Sequence, residues 1–189
     1  MVTDTVYPLD IWRPDVKPTL QIVDFGVNLA GVISLWGLKN CPKGLPIVLR
    51  YAEILQHDAL PDVDDPDPQM IYTDNLRGAL ATDTYICSGE GGEFGESYTP
   101  TMTYHGFRYV EVDVGQSLIE ITHSNIKMRH IHSALEQRTQ VQFESDTLNM
   151  IQTMALGAQR SNFMTVPTDC DQVTYRSLIK QTTPTSLSL

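Results

Sequence analysis

The sequence predicts a mainly β protein, an antiparallel β-sandwich followed by one α-helix. Two observations carry that expectation. From about residue 20 to 144, short runs rich in Val, Ile, Leu, Thr and Tyr alternate with clusters of Gly, Pro, Asn and Asp, the punctuation of strands joined by turns. At residue 145 the apolar period changes from two to that of a helix, and Leu148, Ile151, Met154, Ala155 and Ala158 fall on one face.

Taken in order, residues 20–25 read as a first strand, turned by Gly26-Val27-Asn28. Residues 29–38 follow, with Gly31, Ile33 and Leu35 on one face and Ala30, Val32, Ser34 and Trp36 on the other. Both faces are largely apolar, which predicts a central strand. In 47–55, Ile47, Leu49 and Tyr51 alternate with Val48, Arg50 and Ala52. Three prolines and five aspartates in 56–70 exclude strand and helix there. Their D-x-D-D-x-D spacing resembles a calcium loop, but the sixth-position Gly and the closing Glu are missing, so a solvated acidic loop is expected. Residues 82–87 form the next strand and 88–93 a flexible connection. Residues 101–112 give the strongest strand, with Gly106 marking a bulge or a close backbone approach. Strands are also expected at 117–121, 127–134 and 141–143, making seven or eight in all. Ser145 or Asp146 caps the helix, which runs to about Arg160 and closes at Asn162. The last nine residues have tail composition, and disorder is expected there.

Composition narrows the partners. Thirteen basic against 23 acidic residues give a formal charge of −10, with no Lys/Arg cluster, which argues against nucleic acid and anionic membranes. The stretch 1–15 lacks the basic start and apolar run of a signal peptide, and no segment is apolar enough to span a bilayer, so the chain as written is expected in the cytoplasm. Cys41, Cys87 and Cys170 stand far apart and read as free thiols.

Single residues carry little chemistry on this reading. His130 and His132 would share one face of a strand, but with no third ligand nearby a surface pair is expected, and no metal or other cofactor is assigned. His105 reads as a core imidazole. Arg108 needs a carboxylate if buried, and Glu53 or Glu111 would serve. Trp12, Trp36, Tyr85 and Tyr104 are possible sugar platforms, although core packing is the commoner use of such rings. The stretch 159–170 reads as the site: Pro167 holds the residue before it extended, and Thr168 and Asp169 arrive on a loop with side chains free to meet a polar ligand. By residue type alone, Ser161, Asn162, Thr168 and Asp169 are also ordinary cap and turn residues.

Four ordered blocks resemble the bacterial-type α-L-rhamnosidase family of glycoside hydrolases. They are Asp24-Phe25-Gly26-Val27-Asn28-Leu29-Ala30-Gly31 with Leu49-Arg50-Tyr51-Ala52-Glu53-Ile54-Leu55; Asp74-Asn75-Leu76-Arg77 with Thr82-Asp83-Thr84-Tyr85-Ile86; Tyr104-His105-Gly106-Phe107-Arg108-Tyr109-Val110-Glu111-Val112; and Leu148-Asn149 with Gln159-Arg160-Ser161-Asn162 and Val166-Pro167-Thr168-Asp169-Cys170. The resemblance implies a concanavalin- or jelly-roll-like sandwich leading into an (α/α)6 barrel that removes terminal α-L-rhamnose from glycosides with inversion. It divides the chain into an N-terminal extension (1–19), the sandwich (20–144), the start of the six-hairpin catalytic domain (145–176) and a tail (177–189). It also implies that Asp169 binds sugar hydroxyls.

Inversion needs two carboxyl groups, about 6.5–9.5 Å apart, one protonating the leaving oxygen and one activating water. The family's general acid lies in a Pro-Gln-Arg-Asp-Glu-Arg continuation. Here the continuation is Asp171-Gln172-Val173-Thr174-Tyr175-Arg176, of which only Gln172 fits. The expectation is therefore a rhamnosidase fragment, cut off near codon 171, with no catalytic residue of its own and no turnover alone. A carbohydrate-binding sandwich that works without catalysis is the alternative.

Overall fold

The computed structural model describes residues 2–59, 69–168 and 170. In chain order the elements are β1 (Val2–Val6), β2 (Asp10–Trp12), β3 (Leu20–Leu38), β4 (Pro46–Ala52), β5 (Ile54–Leu55), α1 (Gln56–Ala59), β6 (Ile71–Tyr72), β7 (Thr82–Ile86), β8 (Glu96–Tyr98), β9 (His105–Asp113), β10 (Ile126–His132), α2 (Asp146–Ser161), β11 (Phe163–Met164) and β12 (Val166–Pro167). The predicted class holds: mostly antiparallel sheet with one main helix. Eight strands share one curled sheet in the order β1-β10-β3-β9-β4-β7, with β2 and β8 also on β3.

β3 joins the two halves of that sheet. Its first part pairs with β2 and β9, and its later part with β9, β10 and β8. Residues 26–28, expected to turn the chain, do not. They form an irregularity inside one 19-residue strand, where β3 advances five residues (Asp24 to Leu29) while β9 advances two (Tyr109 to Phe107). Gly26 takes φ +74°, and Asp24 Oδ1 accepts the Gly26 amide at 2.6 Å, so a side chain stands in for the interrupted ladder. The bulge lies there and not at Gly106, which is paired in register with Ala30.

The alternation of β4 is as expected: Ile47, Leu49 and Tyr51 are fully buried and meet Phe25, Ile33, Leu35, Phe107, Val110 and Val112 in the main core. A smaller cluster of Ile22, Ala52, Ile71 and Tyr109 lies apart from it. Three expectations fail for stated reasons. Residues 117–121 bury Ile119 and Ile121, yet the Ile121 amide and carbonyl bond the Gln21 side chain in place of a strand partner. Residues 141–143 are not a strand, because the Phe143 backbone pairs with the Asn149 side chain, which mimics a peptide group (2.8 and 2.9 Å). Helix is not excluded from 56–70: α1 makes one turn before the second of its prolines and aspartates. The acidic stretch 60–68 and the tail 177–189 lie outside the described residues. The N-terminal segment 1–19 contributes two strands, β1 pairing with β10 and β2 with β3.

α2 starts after Ser145 and ends at Asn162, as expected. It meets the sheet through Gly157, which packs near Leu29, and Ser161, whose Oγ accepts the Ala30 amide at 3.1 Å. Asn149, Gln152, Leu156 and Arg160 are half-buried on that side. The apolar stripe points the other way: Leu148, Ile151 and Met154 are 46, 55 and 67% exposed. No helix among the described residues is long and apolar enough to cross a membrane.

Candidate functional site

The corner after α2 is held by its own polar groups. The Asn162 side-chain amide donates to the Ala158 carbonyl (2.9 Å), and the Thr168 amide and hydroxyl both donate to the Asn162 carbonyl (2.8 and 3.3 Å). β11 and β12 form a tight hairpin around Thr165 at φ 67°. Ser133 ties the hairpin to the end of β10: its amide donates to the Phe163 carbonyl, and its hydroxyl accepts the Thr165 amide. Ser161, Asn162 and Thr168 are therefore structural, and the Thr168 hydroxyl is not free for a ligand as expected. Asp169, the predicted sugar-binding residue, lies outside the described residues.

Elsewhere the sheet brings charged groups together across long sequence separations. Arg108 forms a two-point ion pair with Asp24 (Nε–Oδ1 and Nη2–Oδ2, both 2.8 Å). Neither expected partner serves it: Glu111 takes Arg50, and Glu53 accepts Asn28 and Asn75. His105 stacks on Tyr51 (4.3 Å between centroids) and lies 3.3 Å from Asp83, which also accepts the Tyr51 phenol and the Thr103 hydroxyl. Burial pushes the Asp83 carboxyl up, but the His105 imidazole and these donors outweigh it and hold it below its usual range. The Asp83 carboxylate is satisfied by Tyr51 and Thr103, and His105 is a packed imidazole stacked on Tyr51 and paired with Asp83 by charge, the core role expected of it.

Of the four ring platforms, Trp12 meets Tyr109 edge-on, Lys127 lies over Trp36, and Tyr85 stacks on Tyr98. All four, Tyr104 included, are half-buried. Trp12 also borders an open cleft of about 450 Å³ with Arg13, Glu120 and His123, and its indole N–H is buried without a partner among the described residues.

Cys41 and Cys87, 46 residues apart, converge with Glu96; both thiols are free. Burial, then the neighbouring Cys87, pushes the Cys41 thiol up to about 12. Glu96 accepts the Tyr85 phenol and the Ser88 and Gly89 amides, so it organises the connection expected to be flexible. Burial would raise its carboxyl, and those donors hold it below its ordinary value. His130 and His132 are not a surface pair: they are 3 and 6% exposed, and Asp4 of β1 stands beside both. Sequence spacing hid this third residue, because Asp4 reaches His130 only through β1–β10 register.

Residues 15–132 match the family described as the bacterial alpha-L-rhamnosidase concanavalin-like domain. An alpha-L-rhamnosidase of Streptomyces avermitilis is 35% identical over 153 residues, covering 81% of this chain and 13% of the relative. Among solved structures, an alpha-L-rhamnosidase from Dictyoglumus thermophilum superposes with a TM-score of 0.76 at 33% identity, covering 89% of this chain and 17% of that one. The Streptomyces avermitilis enzyme complexed with L-rhamnose gives 0.70 at 31% identity, covering 88 and 14%. The chain thus spans less than a fifth of the length of these relatives, and over residues 15–132 it belongs to the bacterial α-L-rhamnosidase family through its concanavalin-like domain.

Proposed function

We propose that this chain is the sandwich portion of an α-L-rhamnosidase, and that hydrolysis of terminal α-L-rhamnosides proceeds with inversion on a helical domain of which α2 is the first element. The observation that carries this reading is the outward stripe of α2. A helix docked on the sheet through Gly157 and Ser161 leaves Leu148, Ile151 and Met154 in water, and such a face suits burial against further helices. The continuation 171–176 departs from the motif that supplies the family's general acid, so residues 1–189 alone hold no complete acid and base pair. Rhamnose-containing glycosides are the substrates of the parent enzyme on this reading, and Asp169 contributes to holding them. Translating the coding DNA beyond codon 160 in all three frames tests it. A frame resuming with Pro-Gln-Arg-Asp-Glu-Arg and running into helical hairpins supports the reading, and its absence from all three frames counts against it.

A second reading, non-catalytic sugar binding, is favoured by one feature only, the cleft beside Trp12. An amphipathic ring bordering an open cleft beside Arg13 and Glu120 suits a pyranose face and its hydroxyls. Titration with L-rhamnose, read by tryptophan fluorescence, separates the two. Saturable binding lost in Trp12→Ala supports the second reading, and a flat titration removes it.

A further inference from the structure

The geometry points to a divalent-metal site of the borderline, nitrogen-binding class at Asp4, His130 and His132, where β1, β10 and the end of α2 meet. Register builds it. Asp4 is the cross-strand partner of His130, and His132 follows two residues on, so all three side chains project from one face. Their donor atoms lie within 4.8 Å of one another. Asp4 Oδ2 stands 3.8 Å from His130 Nδ1 and 3.7 Å from His132 Nε2.

Those separations are too long for hydrogen bonds, which close to about 2.7–3.2 Å. They are close to the spacing of a tetrahedral zinc shell, whose metal–ligand distances of about 2.0–2.2 Å put donors roughly 3.4 Å apart. The groups converge without bonding one another. Among the described residues His132 Nε2, the ring nitrogen that faces Asp4, is buried with no hydrogen-bond partner, and such an orphan in a well-packed sheet needs an explanation. His132 Nδ1 lies 2.8 Å from the Ser133 carbonyl, which can only accept, so Nδ1 donates there and Nε2 is the ring nitrogen available to a metal beside Asp4. A ring nitrogen donating to a carbonyl while its partner nitrogen binds metal is the usual outer-shell arrangement.

Two imidazoles and one carboxylate favour Zn²⁺, Co²⁺ or Ni²⁺ over Ca²⁺ or Mg²⁺, which take oxygen shells. Asp4 is 59% exposed, so the ion enters from the β1 side, a water completes the shell, and the carboxylate is free to close the last few tenths of an ångström. Arg160 is near enough to His130 to act on it and places a positive charge on the helix side, so the entry face is the Asp4 face. β1 is an edge strand of the sheet. A metal here staples that edge to β10, and its effect is structural.

The test uses the 189-residue chain without an affinity tag, stripped with EDTA. Co²⁺, Zn²⁺ and Ca²⁺ are titrated separately, with binding read by calorimetry, the Co²⁺ spectrum and melting temperature. The expected result is one equivalent of Zn²⁺ or Co²⁺, no response to Ca²⁺, and a tetrahedral Co²⁺ spectrum without thiolate charge transfer. Zn²⁺ should raise the melting temperature by a few degrees and slow amide exchange in 3–6. Asp4→Ala, an exposed change that leaves the fold intact, should weaken binding about tenfold or more, as should His132→Gln. The proposal is overturned by no saturable binding, by binding unchanged in Asp4→Ala, or by binding lost in Cys87→Ser, which would place the ion at the Cys41–Cys87–Glu96 cluster.

Discussion

Gly31 lies where β3 and β10 approach so closely that a Cβ would stand 2.3 Å from the Arg129 carbonyl oxygen. Backbone on both sides cannot yield cheaply, so Gly31→Ala is expected to cost about 3 kcal/mol, seen as a lower urea midpoint with an unchanged slope. Glu96 sets a pH limit. Its carboxyl is held below its ordinary value of 4.5, so the folded state releases its proton more readily than the unfolded chain. That stabilisation is complete above the unfolded value and is lost as pH falls below about 4.5 through the folded value. Melting temperature should therefore drop as pH is lowered from 5 to 3. Glu96→Gln should be less stable at pH 7 and should show a shallower drop; an equally steep drop would remove Glu96 as a cause. At this scale the sequence was partly readable. Ile47, Leu49 and Tyr51 announce their burial by alternation, which is local. The partner of Arg108 does not, because Asp24 lies 84 residues away and reaches it only through pairing of β3 with β9.

At the scale of elements, strand positions were legible where apolar runs coincide with ladders, as in β4, β7, β9 and β10. They were lost where side chains replaced backbone partners. Gln21 satisfies the 121 peptide and Asn149 the 143 peptide, and no propensity scale registers such bonds. The opposite error hid the continuity of β3, since Gly26-Val27-Asn28 has turn composition while Asp24 holds it as a bulge. The period of α2 was correct, but a period does not say which face meets the sheet. Here mainly small and polar residues do, with Leu156 among them, and the stripe of Leu148, Ile151 and Met154 faces water. The double substitution Ile151→Glu, Met154→Lys should thus change the stability of this chain by no more than about 0.5 kcal/mol and reduce its self-association. A loss of several kcal/mol by urea unfolding would mean that the stripe is buried in solution.

For the whole molecule, one curled sheet accounts for nearly all the packing, and the family match at 15–132 falls on it. The family was legible because its motifs mark bulge, ion pair and buried network: Asp24 to Gly26, Arg108, and Asp83 with His105. The predicted sugar-binding corner was less so, since cap and turn residues share their types with ligand-binding ones: Asn162 and Thr168 are spent on the corner itself and Ser161 on the Ala30 amide of β3. Activity is proposed to need carboxylates that residues 1–189 do not hold in place. The decisive measurement is the hydrolysis of an aryl α-L-rhamnoside by the purified chain. The account predicts release of the aryl alcohol no faster than in buffer. Turnover that survives repeated purification and is abolished by Asp169→Asn would contradict it and place a complete catalytic site within these residues.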